Sequence, residues 1–210
     1  MALKIDTATK DKWLFWANSQ DRALIAAALR SGQVIAGGSD TVPGLLAAVT
    51  PAGFDALNTL KARGDKPYLI LIAAPEKLAC FAQLPLSHAA QRLAATYWPG
   101  PLTVVVKART GLADYMQGAN GTVALRVPRH AGLLALLQDF DGLFSTSANM
   151  TGQPTPQHVA DIDERLQDAA RYLVANEQES ELGVPSTIVD CTGDIPRVIR
   201  QGALNITASL

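Results

Sequence analysis

Two cysteines in 210 residues are too few for a disulfide framework, and Cys80 and Cys191 form no Cys-x-x-Cys pair. Both are expected to be reduced, buried thiols. No charge of one sign dominates: the formal net charge is -1, which argues against binding nucleic acid through bulk electrostatics. No apolar run approaches the roughly 20 residues of a membrane helix. The first ten residues carry no apolar signal core, so a cytoplasmic location is expected, with no membrane partner. The three histidines, His88, His130 and His158, are scattered without metal-ligand spacing and read as surface or capping residues, which disfavours a zinc enzyme. Neither a G-x-x-x-x-G-K-[ST] loop nor a G-x-G-x-x-G turn is present, and no G-x-S-x-G elbow marks a serine hydrolase.

What the chain has is apolar material. At 48% hydrophobic and 18% charged it is core-rich, and no composition shift marks a linker, so a single domain over 1–210 is expected. Apolar periodicity predicts helices over 21–30, from Pro51 to Leu60, over 75–81, 87–97 and 131–138, and near 157–166. Strands are predicted over 33–36, 45–49, 68–73, 102–107, 122–127, 143–145, 172–174, 186–190 and 196–200. Helices and strands in this mixture predict an α/β (α+β) fold with a mixed, twisted sheet rather than an all-parallel one. Trp13, Trp16 and Trp98 read as packing residues rather than platforms for bases. The stretch 3–20 is either a docking arm or a covering helix.

Polar groups concentrate at three places between these elements. Gly37 to Thr41 interrupts two apolar stretches, and sites sit on such turns. Lys61, Arg63 and Lys66 place three cations within six residues, between a helix and a strand. Clustered Lys and Arg suit the charges of a triphosphate, although such a loop is also an ordinary solvated one. Lys61 and Arg63 are expected to be exposed. The third place is the run 144–156, Phe-Ser-Thr-Ser-Ala-Asn-Met-Thr-Gly-Gln-Pro-Thr-Pro. There Ser145, Ser147 and Asn149 alternate, so a continuing strand would project them on one face as donors to an anion; a helix cap or Asx turn explains the same residues. Arg126, Arg129, Arg197 and Arg200 lie near predicted strand ends, where folding could gather several of them in one concavity.

Seven ordered blocks resemble the YrdC-like family of threonylcarbamoyl-AMP synthases. They are Ser-Asp-Thr-Val-Pro-Gly-Leu (39–45), Lys-Ala-Arg (61–63), Trp-Pro-Gly-Pro-Leu-Thr (98–103), Ala-Leu-Arg-Val-Pro (124–128), Ser-Thr-Ser-Ala-Asn (145–149), Pro-Ser-Thr-Ile-Val-Asp (185–190) and Ile-Arg-Gln-Gly (199–202). The length resembles the short form of that family. The resemblance implies a twisted mixed sheet flanked by helices around a basic cavity. It also implies a nucleotidyltransferase that joins L-threonine, bicarbonate or CO2, and ATP with its Mg2+ into threonylcarbamoyl-AMP and pyrophosphate, for threonylcarbamoyladenosine in tRNA. Carried over residue by residue, Thr41, Arg126, Ser145 and Ser186 would hold threonine. Arg63, Lys66, Thr122, Ser147, Asn149, Thr155 and Arg200 would hold ATP, and Lys61 with Arg63 would stabilise charge on carbamate and phosphates. Possible partners are tRNA or other tRNA-modification proteins. The chain departs from the family pattern at Gly38, Ser39, Pro43 and Leu71, and in a loop after Lys61 that lacks the usual proline and is one residue shorter. Two further readings stand beside the synthase: a paralogue that binds nucleotide or RNA without making the adenylate, and a related carbamoyl-transferring or hydrolytic enzyme.

Overall fold

The structure is a computed structural model that describes residues 7–61, 67–118, 120–176 and 182–206. Ten strands of the described residues join in one sheet: β1 Trp13–Phe15, β2 Ile35–Gly37, β3 Gly44–Ala48, β4 Leu69–Leu71, β5 Leu102–Lys107, β6 Thr122–Arg126, β7 Leu143–Ser147, β8 Leu173–Ala175, β9 Thr187–Asp190 and β10 Arg197–Arg200. Their order is β1-β8-β2-β3-β7-β4-β6-β5-β9-β10. The β1/β8, β2/β8, β4/β6 and β5/β9 pairs are parallel, and the other five contacts antiparallel, so the sheet is mixed as expected.

Among the described residues five α-helices accompany it: α1 Ser19–Arg30, α2 Pro51–Lys61, α3 His88–Tyr97, α4 Ala131–Leu137 and α5 Glu164–Ala169. Local chemistry fixes their starts. Asn18 accepts the Gln20 and Asp21 N–H groups, Ser87 accepts that of Ala90, and His130 accepts that of Leu133, each satisfying a donor that the first turn leaves open. Pro51 opens α2, where the missing N–H costs nothing.

The core is double. One layer packs Ile70, Phe144, Leu125 and Val104 of the sheet with Leu57 of α2 and Leu93 of α3. On the other face Ile25 and Leu29 of α1, with Leu133, Leu136 and Leu137 of α4, cover Ile35, Leu46, Leu71, Leu143 and Val174. No buried residue of β5, β6 or β9 belongs to this second layer. Its helices therefore cover half of one sheet face and leave the other half to be lined by something else.

Two expectations are corrected. The segment 157–166 is not one helix: a 3-10 turn, Val159–Asp161, precedes α5, because Asp161 and Asp163 each cap a new N-terminus with their carboxylates. Of the stretch 3–20, residues 3–6 lie outside the described residues, and the remainder forms neither a free docking arm nor a covering helix. A 3-10 turn over Thr7–Lys12 leads into β1, which extends the sheet beside β8. Trp13 and Trp16 are buried, Trp98 packs against the larger core, and the Trp16 indole donates to the Gly38 carbonyl at 3.0 Å. Both cysteines are free thiols, Cys191 buried and Cys80 half-buried; desolvation pushes the Cys191 thiol up to about 11, which keeps it protonated and unreactive.

Trp16 also explains a glycine. A Cβ on Gly132 would stand 2.5 Å from Trp16 Cβ and 2.8 Å from its carbonyl oxygen, so α4 can approach the N-terminal segment only without a side chain there. Gly132→Ala is expected to lower stability by about 1–3 kcal/mol through overpacking, read as a lower urea midpoint at unchanged slope. A midpoint equal to or above the parent's would show that the contact yields.

Candidate active site

The uncovered half of that face forms a cavity of about 350 Å³. Strand alternation explains its chemistry. On β7 Leu143, Ser145 and Ser147 point the same way; Leu143 lies under α4, whereas Ser145 and Ser147 line the cavity beyond the helix. The face turns from apolar to hydroxyl where the helical cover ends. Across the sheet Ser145 stands opposite Leu46 and Leu69, and Ser147 opposite Gly44. Leu46, Leu69, Leu71, Val105, Ala124 and Ile188 give the floor an apolar character, and the polar groups come from the loops and strand ends around it.

One end is the turn between β2 and β3. Ser39 Oγ donates to the Val42 carbonyl at 2.8 Å and accepts from the Thr41 N–H at 3.2 Å, closing a compact turn. Arg126 crosses to it from the end of β6. Its Nε donates to the Gly100 carbonyl at 3.0 Å, Nη1 to Thr41 Oγ1 at 3.0 Å, and Nη2 to Asp40 Oδ1 at 2.6 Å. The other Asp40 oxygen accepts the Arg129 N–H at 3.0 Å. Both side chains are buried, with only 5% and 9% of their surfaces exposed. Burial lowers the Arg126 pKa, and the Asp40 carboxylate opposes that shift, which keeps the guanidinium charged.

A second network lies beside it, where β5, β9 and β10 meet the cavity. Thr103 Oγ1 and Ser186 Oγ lie 2.8 Å apart, and Arg200 Nη2 donates to the Ser186 carbonyl at 2.8 Å and to its hydroxyl at 3.1 Å. Arg200 thus reaches the cavity from the edge strand β10.

The predicted residues divide clearly. Thr41, Arg126, Ser145, Ser147, Ser186 and Arg200 all line this one cavity. Arg63 and Lys66 lie outside the described residues. Thr122, Asn149 and Thr155 are half-buried and do not line it, although Thr122 starts the strand that carries Ala124 and Arg126 into it. Asn149 does not continue the alternation, since β7 ends at Ser147; its carboxamide oxygen accepts from the Ser147 hydroxyl at 2.6 Å instead. Of the other cations expected in one concavity, Arg129 contributes its backbone to Asp40, and Arg197 faces Asp190 at 3.5 Å. Asp40 and Thr103 were not singled out as site residues; each sits inside a matched block, but only its partner across the fold reveals its part.

Lys61 corrects an expectation. It is 6% exposed rather than a solvated cation. Its ammonium donates to the Ser147 carbonyl at 3.0 Å and to the Asn149 carbonyl, with Asn149 Oδ1 at 3.4 Å, while its own carbonyl accepts the Thr151 hydroxyl at 2.8 Å. The charge thus gathers the carbonyls of the turn after β7, where a strand that ends leaves acceptors unpaired. Among the described residues no three His, Cys, Asp or Glu side chains gather as a metal site. None of the described helices is long and apolar enough to cross a membrane.

A mixed sheet with a half-open face and hydroxyl-lined cavity defines an α/β protein built to take a polar ligand against an apolar floor. Its lineage follows from comparison: residues 27–202 match the Sua5/YciO/YrdC family, described as "Telomere recombination". The chain belongs to that family. It is 34% identical over 191 residues to a putative threonylcarbamoyl-AMP synthase of Mycobacterium tuberculosis (strain H37Rv), covering 89% of this chain and 87% of the relative. The crystal structure of P. abyssi Sua5 complexed with L-threonine matches with a TM-score of 0.82 at 28% identity, over 91% of this chain; this chain spans 57% of that one. E. coli YciO shares the fold, with a TM-score of 0.80 at 21% identity over 92% of this chain and 94% of its own.

Replacing Lys61 by Met keeps the aliphatic stem and removes the ammonium. The carbonyls of Ser147 and Asn149 then lose their charged donor, and stability is expected to fall by about 1–3 kcal/mol, measured by urea unfolding. A loss below about 0.5 kcal/mol, within the range of ordinary surface changes, would mean that the turn does not rely on it.

Proposed function

We propose that this chain is a threonylcarbamoyl-AMP synthase, forming L-threonylcarbamoyladenylate and pyrophosphate from L-threonine, bicarbonate or CO2, and ATP for the modification of tRNA. The observation that carries this reading is the convergence of Thr41, Arg126, Ser145, Ser147, Ser186 and Arg200, from five separate segments, on one cavity. Relatives named for this activity, and a family structure solved with L-threonine, support it.

The reaction asks for no side-chain nucleophile. Threonine's deprotonated amine adds to CO2, and a carbamate oxygen then attacks the α-phosphorus of ATP as pyrophosphate departs. Orientation and neutralisation of charge should carry the rate. Arg126, Thr41, Ser145 and Ser186 hold the amino acid at the end near the β2–β3 turn. Ser147 and Arg200, with Arg63 and Lys66, take the phosphates, and Thr122, Asn149 and Thr155 extend that side. Ser145 and Ser147 stand about 7 Å apart along one strand face, close enough to serve two substrates that must meet. For Ser147 to donate to a phosphate its proton must turn away from Asn149, so ligand binding is coupled to the turn that Lys61 holds.

ATP would arrive as its magnesium complex, with the ion on phosphate oxygens, a mode that needs few protein carboxylates. That fits a cavity whose described lining holds no carboxylate, Asp40 behind it being committed to Arg126 and Arg129. Lys61 stabilises the phosphate-side turn rather than touching the reacting atoms, and Arg63 with Arg200 would answer the developing charge. The product, a mixed anhydride, would pass to tRNA-modifying partners. A cytoplasmic setting follows from that role.

The test is pyrophosphate release from ATP, magnesium and bicarbonate, with and without threonine. Release that depends on threonine, together with a labelled threonylcarbamoyl-AMP, is expected, and Arg200→Ala should lower kcat/KM at least tenfold. ATP binding with no turnover would replace the synthase by a nucleotide-binding paralogue. Release independent of threonine would point to another acceptor.

A further inference from the structure

Arg126 is the one cation buried in the cavity wall among the described residues lining it, yet its charge is already answered. Of its five N–H donors, Nε is spent on the Gly100 carbonyl, one on Nη1 goes to Thr41 and one on Nη2 to Asp40. One N–H remains on each terminal nitrogen, the pair that a carboxylate can take in a fork. Asp40 does not line the cavity; it sits behind Arg126 and is itself fixed, because its second oxygen accepts the Arg129 N–H at 3.0 Å and its own carbonyl accepts the Leu182 N–H at 3.4 Å.

We propose that Asp40 is the positioning residue for amino-acid recognition: by clamping one edge of the Arg126 guanidinium it leaves the remaining two donors in a fixed fork for the substrate carboxylate. This rests on the proposed synthase reading. Two effects of Asp40 oppose each other. As a charge, it weakens the attraction between Arg126 and an incoming carboxylate. As a clamp, it removes the rotameric freedom that a long arginine must otherwise lose on binding. The geometry decides between them, because a charge-neutral pair whose partner is anchored twice gives orientation rather than net field. Asp40 therefore tightens threonine binding although it is negative.

The test is Asp40→Asn, which keeps the shape and removes the charge-assisted clamp. Steady-state kinetics should show KM for threonine raised at least tenfold, with KM for ATP within twofold of the parent. The unchanged ATP value guards against a merely misfolded variant. Should Asp40→Asn not fold, Asp40→Glu, which keeps the charge but displaces the carboxylate, is measured in its place and should show the same split. A threonine KM that is unchanged or lower overturns the inference, as does a parallel rise for both substrates. If the parent protein itself neither binds nor uses threonine, the synthase reading falls and this inference with it; a threonine-using parent with an indifferent variant sinks the inference alone.

Discussion

The site hangs on one buried ion pair. Arg126 at the end of β6 and Asp40 in the β2–β3 turn are 86 residues apart in the chain and 2.6 Å apart in space, and between them they close one end of the cavity. Removing one partner of such a pair strands a charge out of water, typically at a cost of about 3–5 kcal/mol, so neither residue is free to vary alone. The surrounding contacts make the same join: the Trp16 indole reaches Gly38, and the Gly183 N–H reaches the Thr41 carbonyl at 2.9 Å. The turn that carries Thr41 is thus fastened from the N-terminal segment, from the sheet and from the segment before β9.

A second constraint is geometric. Helices α1 and α4 are short and cover only the part of one sheet face around β8, β2, β3, β7 and β4. A sheet face left bare over β5, β6 and β9 must either be lined with polar groups or take a ligand. Here apolar side chains form the floor, and hydroxyl and guanidinium groups stand at the rim. Sites formed on a rigid sheet keep their donors in place without help from substrate, which suits a reaction governed by positioning.

Much of this was legible in the sequence, for local reasons. The β-branched run Thr103 to Val106 marked β5 over 102–107, as observed, and Pro51 marked the start of α2. The alternation of Ser145 and Ser147 held because a strand face has period two; it failed at Asn149, where the strand stops. What was not legible depends on distant partners. Strand β1 is three residues long and exists only because β8, some 160 residues later, pairs with it. The burial of Lys61 comes from the turn after β7, and the clamp on Arg126 comes from Asp40; neither neighbour is marked by spacing along the chain. The apolar residues of 157–166 suit one helix, but Asp161 closes a 3-10 turn by accepting the His158 N–H and Asp163 starts α5 afresh.

The central claim, that the half-covered sheet face is where threonine and ATP meet, is tested most directly by a crystal structure of this protein with L-threonine and a non-hydrolysable ATP analogue. The account predicts the threonine carboxylate at Arg126 and Thr41, and phosphate oxygens within hydrogen-bonding distance of Ser147 and Arg200. Both ligands bound elsewhere, with Arg126 still facing only Asp40, Thr41 and Gly100, would contradict it.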